Sequence, residues 1–536
     1  MSLTPSPHAR LRTTCRTGAT TLLVAFALVA AAGAAPLTAE EEAGKTVYTT
    51  GTSPSGGDIT AYVGLNSTRV PGSVVPCANC HGPDGLGRAE GGVVPPPITW
   101  PELAKPYGHV HDNGRRHGPF DEKSFARAVQ SGVDPAGNRL DPAMPRYVIS
   151  NADLRSLAAY LKRIAGDLSP GVREDAVTIA TLLPESGPLG EAGRAMRRVL
   201  EAQFAEINAA GGVYGRRIEL DVRDSGDSAK AALAAARTVF AQDTAFAIVS
   251  PMAVGMEANL TTLAEEAQVP VVGPFTLAGP GGGLLNRYTF FLLGGLEEQA
   301  RVLAEYAVRE KAVGTNPTAA VYPADETHER VARALAAQLA RHGAPAPAAS
   351  AYPPNRLDAV ATAHALKGQA PAIVFFLGSD PDLAAFLTAA DRLGWHPTVA
   401  VLGSQASRAA AAAPAAFDGR ILLAYPTLPG PVDAEGARAF EELGRRHALA
   451  AAPAAPQRSA YAAGRLLAEG LRRAGRQLTR ERLVAALEGL HEYRTGVLPP
   501  LGYNADRRVG ALGGYVVALD TRERTFRVVS GWVRID

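Results

Sequence analysis

The 536-residue sequence predicts a multidomain protein: a small all-α domain followed by a larger α/β unit of two lobes. Three observations predict it. Cys77-Ala78-Asn79-Cys80-His81 forms a single C-x-x-C-H stretch early in the chain. From Val177 onward, apolar runs of strand length alternate with helical patterns to the end. Gly166-Asp167-Leu168-Ser169-Pro170-Gly171, punctuated by Pro and Gly, separates the two regions. Strand–helix alternation implies parallel sheets covered by helices on both faces, and this length suits two lobes better than one sheet.

Composition narrows the class. Apolar residues make up 46% and charged residues 20%, ordinary for a globular chain. The net charge of +2 gives no argument for nucleic acid or an anionic membrane as partner. Arg10, Arg12 and Arg16 precede an apolar segment from Thr20 to Ala32 and a run of small residues, the order of a secretory signal peptide. Residues 1–34 are read as that signal, with cleavage after Ala34 or, as second choice, Ala39. The apolar run is short for a membrane span, which leaves an uncleaved anchor as the alternative. Removal of Cys15 with the signal leaves Cys77 and Cys80 as the only thiols, which suits an oxidising compartment such as the periplasm.

The C-x-x-C-H spacing is that of covalent c-type haem attachment. Two thiols two residues apart can each add to one porphyrin vinyl, and His81 is then held beneath the iron as an axial ligand. The rivals are a thioredoxin-type redox pair or half of a zinc site. Zinc would need a second C-x-x-C or a His pair at finger spacing, and the chain has no second C-x-x-C.

Around the motif, Glu40 to Thr50 reads as a helix, and the Gly/Ser/Thr-rich stretch from Gly51 to Ser73 as a loop. Pro95-Pro96-Pro97-Ile98 reads as extended. A helix capped near Asn151 runs to about Ile164, with Leu154, Leu157, Ala158 and Leu161 on one face. Candidates for the sixth iron ligand are Met144, His109, His111 and His117. Met144 lies in Asp141-Pro142-Ala143-Met144-Pro145-Arg146-Tyr147, where the prolines argue for an extended loop against a flat cofactor.

This order of helix, CxxCH, Met-Pro loop and C-terminal helix resembles the class I cytochrome c family over roughly Ala43 to Leu168. The resemblance implies one covalent haem c, with Cys77 and Cys80 as thioether residues, His81 as proximal and Met144 as distal ligand. The long excursion before the motif departs from the family pattern.

In the α/β region, strands are expected at Val177–Leu183, Arg217–Arg223, Phe246–Ser250, Val269–Val272, Thr318–Tyr322, Ala372–Leu377, Thr398–Gly403, Arg420–Ala424, Tyr515–Leu519 and Thr525–Val533, with helices between. Ile179-Ala180-Thr181-Leu182-Leu183-Pro184-Glu185-Ser186-Gly187-Pro188, together with Glu206-Ile207-Asn208-Ala209-Ala210-Gly211-Gly212, is similar to the type 1 periplasmic binding proteins of the branched-chain amino acid and amide group. The resemblance covers nearly all of Val177 to Asp536. It implies two lobes joined by hinge strands, with a ligand at the C-terminal strand ends, where open α/β sheets bind ligands generally. Domains are therefore placed at 40–168 (cytochrome), 169–176 (linker) and 177–536 (binding protein).

The resemblance also implies a pocket. Amino-acid binders of this family hold the ligand carboxylate with hydroxyl side chains and backbone N–H groups, and the ammonium with an acid from the second lobe. Here the corresponding positions are Ser186, then Met252, Ala253 and Val254, then Phe275, Thr276 and Leu277, and in the second lobe Gln405. Val254 and Leu277 stand where hydroxyls are usual, and Gln405 where an acid is usual. A buried ammonium without a carboxylate is costly, as is a carboxylate with few donors. A less charged, partly apolar solute is expected, or else a degenerate pocket serving as a docking surface.

Other features are weaker. Gly279 to Gly283 lacks the Lys-Ser/Thr of a phosphate loop. His328 and His342 read as solvent-facing, and nothing argues for hydrolytic chemistry, so the chain is read as a non-enzyme. The expectation is a periplasmic haem-c electron-transfer protein that binds a small organic solute, with a dehydrogenase or oxidase as redox partner or an ABC permease. The alternative is a pure electron carrier whose second domain is a ligand-free scaffold.

Overall fold

The computed structural model describes residues 37–87, 93–111, 113–276, 279, 286–311, 313–428, 434–451 and 454–535. The predicted signal, Cys15, Leu277 and residues 280–283 of the glycine run lie outside them.

The first domain contains α1 (Ala39–Thr50), β1 (Thr60–Val63), β2 (Thr68–Pro71), α2 (Cys77–His81), α3 (Trp100–Leu103), β3 (His109–Val110), β4 (Arg116–His117), α4 (Glu122–Ser131), β5 (Arg146–Val148) and α5 (Asn151–Arg163). Thr38 and Glu41 close a capping box on α1. The cap of α5 is Ser150 rather than the expected Asn151, its hydroxyl accepting the Asp153 N–H. α1 and α5 cross at Gly44, where a Cβ would lie 1.9 Å from the Ser156 carbonyl oxygen. Tyr48 and Tyr160 meet at a tilt beside the crossing, with ring centroids 5.6 Å apart and planes 53° apart. The stretch expected to be a loop, Gly51 to Ser73, instead holds the β1–β2 hairpin, and β1 also pairs with β5 to give the sheet order β2-β1-β5. Four-residue strands, with only Ile59 and Ala61 turned inward, are too short to show a period.

Lobe 1 begins with β6 (Ala176–Leu183), α6 (Gly190–Ala209), β7 (Arg217–Asp224), α7 (Ala229–Gln242), β8 (Ala247–Val249), α8 (Glu257–Ala267), β9 (Val271–Val272) and β10 (Thr289–Leu293). The chain crosses to lobe 2 for α9 (Leu296–Glu310), β11 (Ala319–Pro323), α10 (Glu326–Arg341), β12 (Ala348–Tyr352), α11 (Ala359–Gln369), β13 (Val374–Phe376), α12 (Asp380–Arg392), β14 (Val399–Leu402), α13 (Gly403–Ala411) and β15 (Ile421–Tyr425). It returns to lobe 1 for α14 (Ala434–Arg446), α15 (Ala454–Ala474), α16 (Arg480–Glu488) and β16 (Val509–Ala511). It crosses a third time into β17 (Gly513–Asp520), β18 (Thr525–Val528) and β19 (Val533–Arg534).

The lobe 1 sheet, ordered β16-β10-β9-β8-β6-β7, is parallel throughout. Lobe 2 runs β12-β11-β13-β14-β15 in parallel, then β17 and β18 antiparallel. The third crossing turns at Gly513, whose φ of 144° and closeness to Val533 (a Cβ would lie 2.4 Å from its carbonyl oxygen) both call for glycine.

The linker is folded into lobe 1. Thr178 N–H donates to Gly171 O at 2.7 Å, Arg173 N–H to Ala176 O at 2.8 Å, and Val172 is buried in the lobe 1 core. A Cβ on Gly171 would lie 2.3 Å from the Phe246 nitrogen, so the linker runs directly over the start of β8.

In lobe 2, α9 and α10 are pinned by Glu305, a carboxylate only 2% exposed. It accepts from Gln338 Nε2 at 2.7 Å, pairs with His342 Nε2 at 2.6 Å and with Arg309 Nη2 at 2.6 Å. His342 is exposed, as expected, and also reaches inward to Glu305. Burial works to raise the Glu305 carboxyl, but Gln338, His342 and Arg309 outweigh it and hold it below the usual range. A depressed folded-state value means stability present above the unfolded carboxylate range and lost as pH falls through the folded one. Glu305→Ala is therefore expected to cost about 3 kcal/mol in urea unfolding near neutral pH. The difference from wild type should shrink in acid. A constant difference across pH would refute the linkage.

Candidate haem site and interlobe cleft

The haem motif forms one helical turn, α2, entered from Pro76 and closed by Gly82 at φ 74°, a left-handed position. Tyr48 Oη donates to the Gly82 carbonyl at 2.5 Å, fixing the turn to α1. His81 ends the turn, is 8% exposed, and has its Nδ1 3.0 Å from Pro96 O. A carbonyl only accepts, so Nδ1 carries the proton and Nε2 keeps a lone pair. Burial holds the imidazole below its ordinary range, favouring this neutral form. A neutral imidazole oriented by a backbone carbonyl is the arrangement that metal-binding histidines use. Pro96, from the segment predicted to be extended, supplies the orienting group.

Cys77 is half-buried and Cys80 exposed, one helical turn apart. Burial, with Cys80 adding to it, pushes the Cys77 thiol up to about 12. A thioredoxin-type pair needs a depressed thiol, so this rival loses its physical basis. Among the described residues no group of three His, Cys, Asp or Glu side chains is arranged to hold a metal ion. Two thiols, a neutral imidazole with a free Nε2 and a rigid glycine turn fit a covalently attached haem.

Met144 is half-buried in a turn held by Asp141, which accepts the Ala143 N–H at its carboxylate and the Met144 N–H at its carbonyl. Three residues on, Tyr147 Oη donates to Val75 O at 2.6 Å. The Tyr147 phenol is raised by burial and by both motif thiols, so β5 runs beside the attachment turn. The rival histidines are engaged with one another. β3 and β4 pair His109 with His117, and His111 Nε2 lies 3.0 Å from His117 Nε2. Arg115 reaches His111 Nε2 at 2.7 Å and pairs with the buried Asp134. Burial, Arg115 and the other two rings push His111 down to about 4.

The cleft residues sit at the C-terminal ends of the strands. Ser186 is exposed in the turn after β6. Met252 and Ala253 are buried, 4% and 0% exposed. Their N–H groups donate to Leu182 O and Phe275 O, and Phe275 N–H donates to Pro251 O, at 2.8 to 2.9 Å. Met252, Ala253 and Phe275 thus knit the strand ends together in a short parallel bridge. Val254, Phe275 and Thr276 are half-buried, and Thr276 Oγ1 donates to Glu257 Oε1 at 2.7 Å.

In lobe 2, Gln405 lies in the first turn of α13. Its Nε2 donates to His328 Nε2 at 2.7 Å, and His328 Nδ1 lies 2.8 Å from both carboxylate oxygens of Asp325. His328, with its side chain 14% exposed, is therefore part of a half-buried chain and not solvent-facing as expected. Beside it, Gln299 and Ser404 exchange two hydrogen bonds. Sequence reasoning missed Glu257, Asp325 and Gln299. Asp325, three residues before His328 at a helix start, carried a capping signal that could have linked them.

A periplasmic binding protein family profile matches residues 176–523, and a cytochrome c profile matches residues 74–165. The chain belongs to the periplasmic binding protein family and carries a cytochrome c domain ahead of it. Sequence relatives include Leu/Ile/Val-binding protein homolog 3 of Brucella melitensis, 28% identical over 25% of this chain and 36% of that protein. Leu/Ile/Val-binding protein BraC3 of Rhizobium johnstonii is 25% identical over 38% of this chain and 55% of its own length. The chain thus spans roughly a third to a half of these relatives. Among solved structures, a fatty acid ABC transporter substrate-binding protein from Thermomonospora curvata aligns with TM-score 0.53 at 16% identity, over 69% of this chain and 95% of that one. A branched-chain amino acid ABC transporter protein from Thermus thermophilus with bound valine aligns with TM-score 0.53 at 18% identity, over 67% and 96%. At such identities the likeness is one of fold.

Proposed function

We propose that this chain is an exported haem-c electron carrier that also captures a small organic solute between its two lobes. A periplasmic dehydrogenase or oxidase is the redox partner in this reading, or an ABC-type permease receives the solute. The observation that carries it is the pairing, in one chain, of a full haem attachment set with a hinged two-lobe binding fold. In this reading Cys77 and Cys80 hold the porphyrin through thioethers, and His81 Nε2 and Met144 are the axial ligands. Bound haem supplies one-electron exchange. Pro96 keeps the His81 proton on Nδ1, and Tyr48 fixes the turn by its bond to Gly82. The internal pairing of His109, His111 and His117 supports Met144 over them.

Met144→Ala is expected to keep haem attached but to lose the weak long-wavelength band of sulfur ligation in oxidised spectra. A wild-type protein that lacks the band would return the role to the histidines. A thermal-shift screen of neutral and charged solutes on haem-loaded protein tests the cleft. The N–H groups of Met252, Ala253 and Phe275, all taken by protein carbonyls, favour a second reading in which the α/β unit is a scaffold. A screen without any stabilising solute would select it.

A further inference from the structure

The polarity of the groups around the cleft specifies a ligand class more closely than its shape does, taking the cleft to be a solute site as above. On lobe 1 the backbone donors named above are in use, while the Ser250 hydroxyl has no partner. Met252, Ala253 and Phe275 give their N–H groups to backbone carbonyls, and the Thr276 hydroxyl proton points to Glu257. These four groups therefore have no proton to spare for a guest.

Lobe 2 agrees. His328 Nδ1 faces only the Asp325 carboxylate, so its proton sits there, and Nε2 is left as an acceptor. That acceptor takes the Gln405 N–H, which fixes the amide with its oxygen turned away from the imidazole. Gln405 Oε1 is then shielded from solvent with no donor of its own. A shielded oxygen without a donor is an unfavourable state that a ligand O–H relieves. An ammonium would have to share Glu257 with Thr276 or Asp325 with His328. A ligand carboxylate would find no free proton on these groups and an acceptor at Gln405.

We propose that the interlobe cleft takes a carboxylate-free hydrogen-bond donor, an alcohol with an apolar body, and that Gln405 Oε1 is its acceptor. Asp325 and His328 act as positioning residues that orient the Gln405 amide. Val254 and Phe275 supply the apolar contact.

The test uses four probes with an isobutyl body: 3-methylbutan-1-ol, 3-methylbutan-1-amine, 4-methylpentanoate and L-leucine. Each is titrated calorimetrically into full-length, haem-loaded protein. The alcohol is expected to bind at least tenfold tighter than L-leucine or 4-methylpentanoate. Gln405→Met, which keeps the bulk and removes the acceptor, should weaken the alcohol about tenfold, and Gln405→Glu should move the preference to the amine. Binding of L-leucine or the carboxylate as tight as the alcohol overturns the ligand class and leaves the receptor reading intact. Silence from all four probes on folded protein overturns the receptor reading and this inference with it. Nitrogen-15 spectra of the reduced protein supply a readout that needs no ligand. His328 should be protonated at Nδ1 alone, and a proton on Nε2 overturns the assigned polarity.

Discussion

A C77A/C80A double variant is expected to hold no haem through denaturation, where the wild type keeps it all. The measurement is a haem-stained denaturing gel. Both thiols lie on one helical turn whose exit is fixed by Gly82 and by Tyr48. No other cysteine is present in the sequence except Cys15, ahead of the apolar N-terminal run, so nothing nearby can substitute. A single thioether should survive in either single variant. His81→Ala should behave differently, keeping haem on the gel while losing the low-spin spectrum, because the thioethers and the axial bond are separate chemical events. Haem retained by the double variant would show that C-x-x-C-H is not the attachment site.

The second large effect is expected at Arg480, 9% exposed at the start of α16. Its guanidinium donates to Phe246 O at 3.0 Å, Ala245 O at 2.7 Å and Asp243 Oδ1 at 2.6 Å, so it ties α16 to the edge of β8. Arg480→Ala leaves two buried carbonyls without donors and should destabilise the α/β unit by about 3 kcal/mol in urea unfolding. Lysine cannot reproduce a fork of donors and should recover less than half of that loss. A change under about 0.5 kcal/mol would show that solvent replaces the bonds without cost.

How much of this could be read in advance depends on element length and on who the partners are. β6 and β7, α6 and α10, and α5 all announced themselves, because eight or more residues give a period and a cap time to show. The β1–β2 hairpin and the strands β10, β12 and β16 did not. They are short, and β10 and β16 are defined by pairing with each other across a gap of some 200 positions, as the 212-residue span of the Tyr503–Phe291 hydrogen bond illustrates. The attachment turn was legible because its chemistry is written in consecutive residues. The chain from Asp325 through His328 to Gln405 was not, since its last bond joins residues 77 apart, and a lone histidine on a helix carries no sign of what it faces. Met252 and Ala253 were located at the strand ends correctly as positions, but their backbone groups are taken internally, which no side-chain pattern reveals.

One contact bears on how the molecule is made. Asp84, in the loop after the haem motif, caps the Leu86 N–H and accepts the Thr479 hydroxyl at 3.1 Å. Those partners are 395 positions apart. During synthesis the C-x-x-C-H turn emerges long before Thr479, so in the reading proposed above haem would be attached to a cytochrome domain that lobe 1 does not yet cover. Once α16 is in place, lobe 1 covers that side of the loop. In that reading the order of emergence would give cofactor insertion a window that final folding closes, and a chain truncated before residue 479 would lack the Thr479 contact to Asp84.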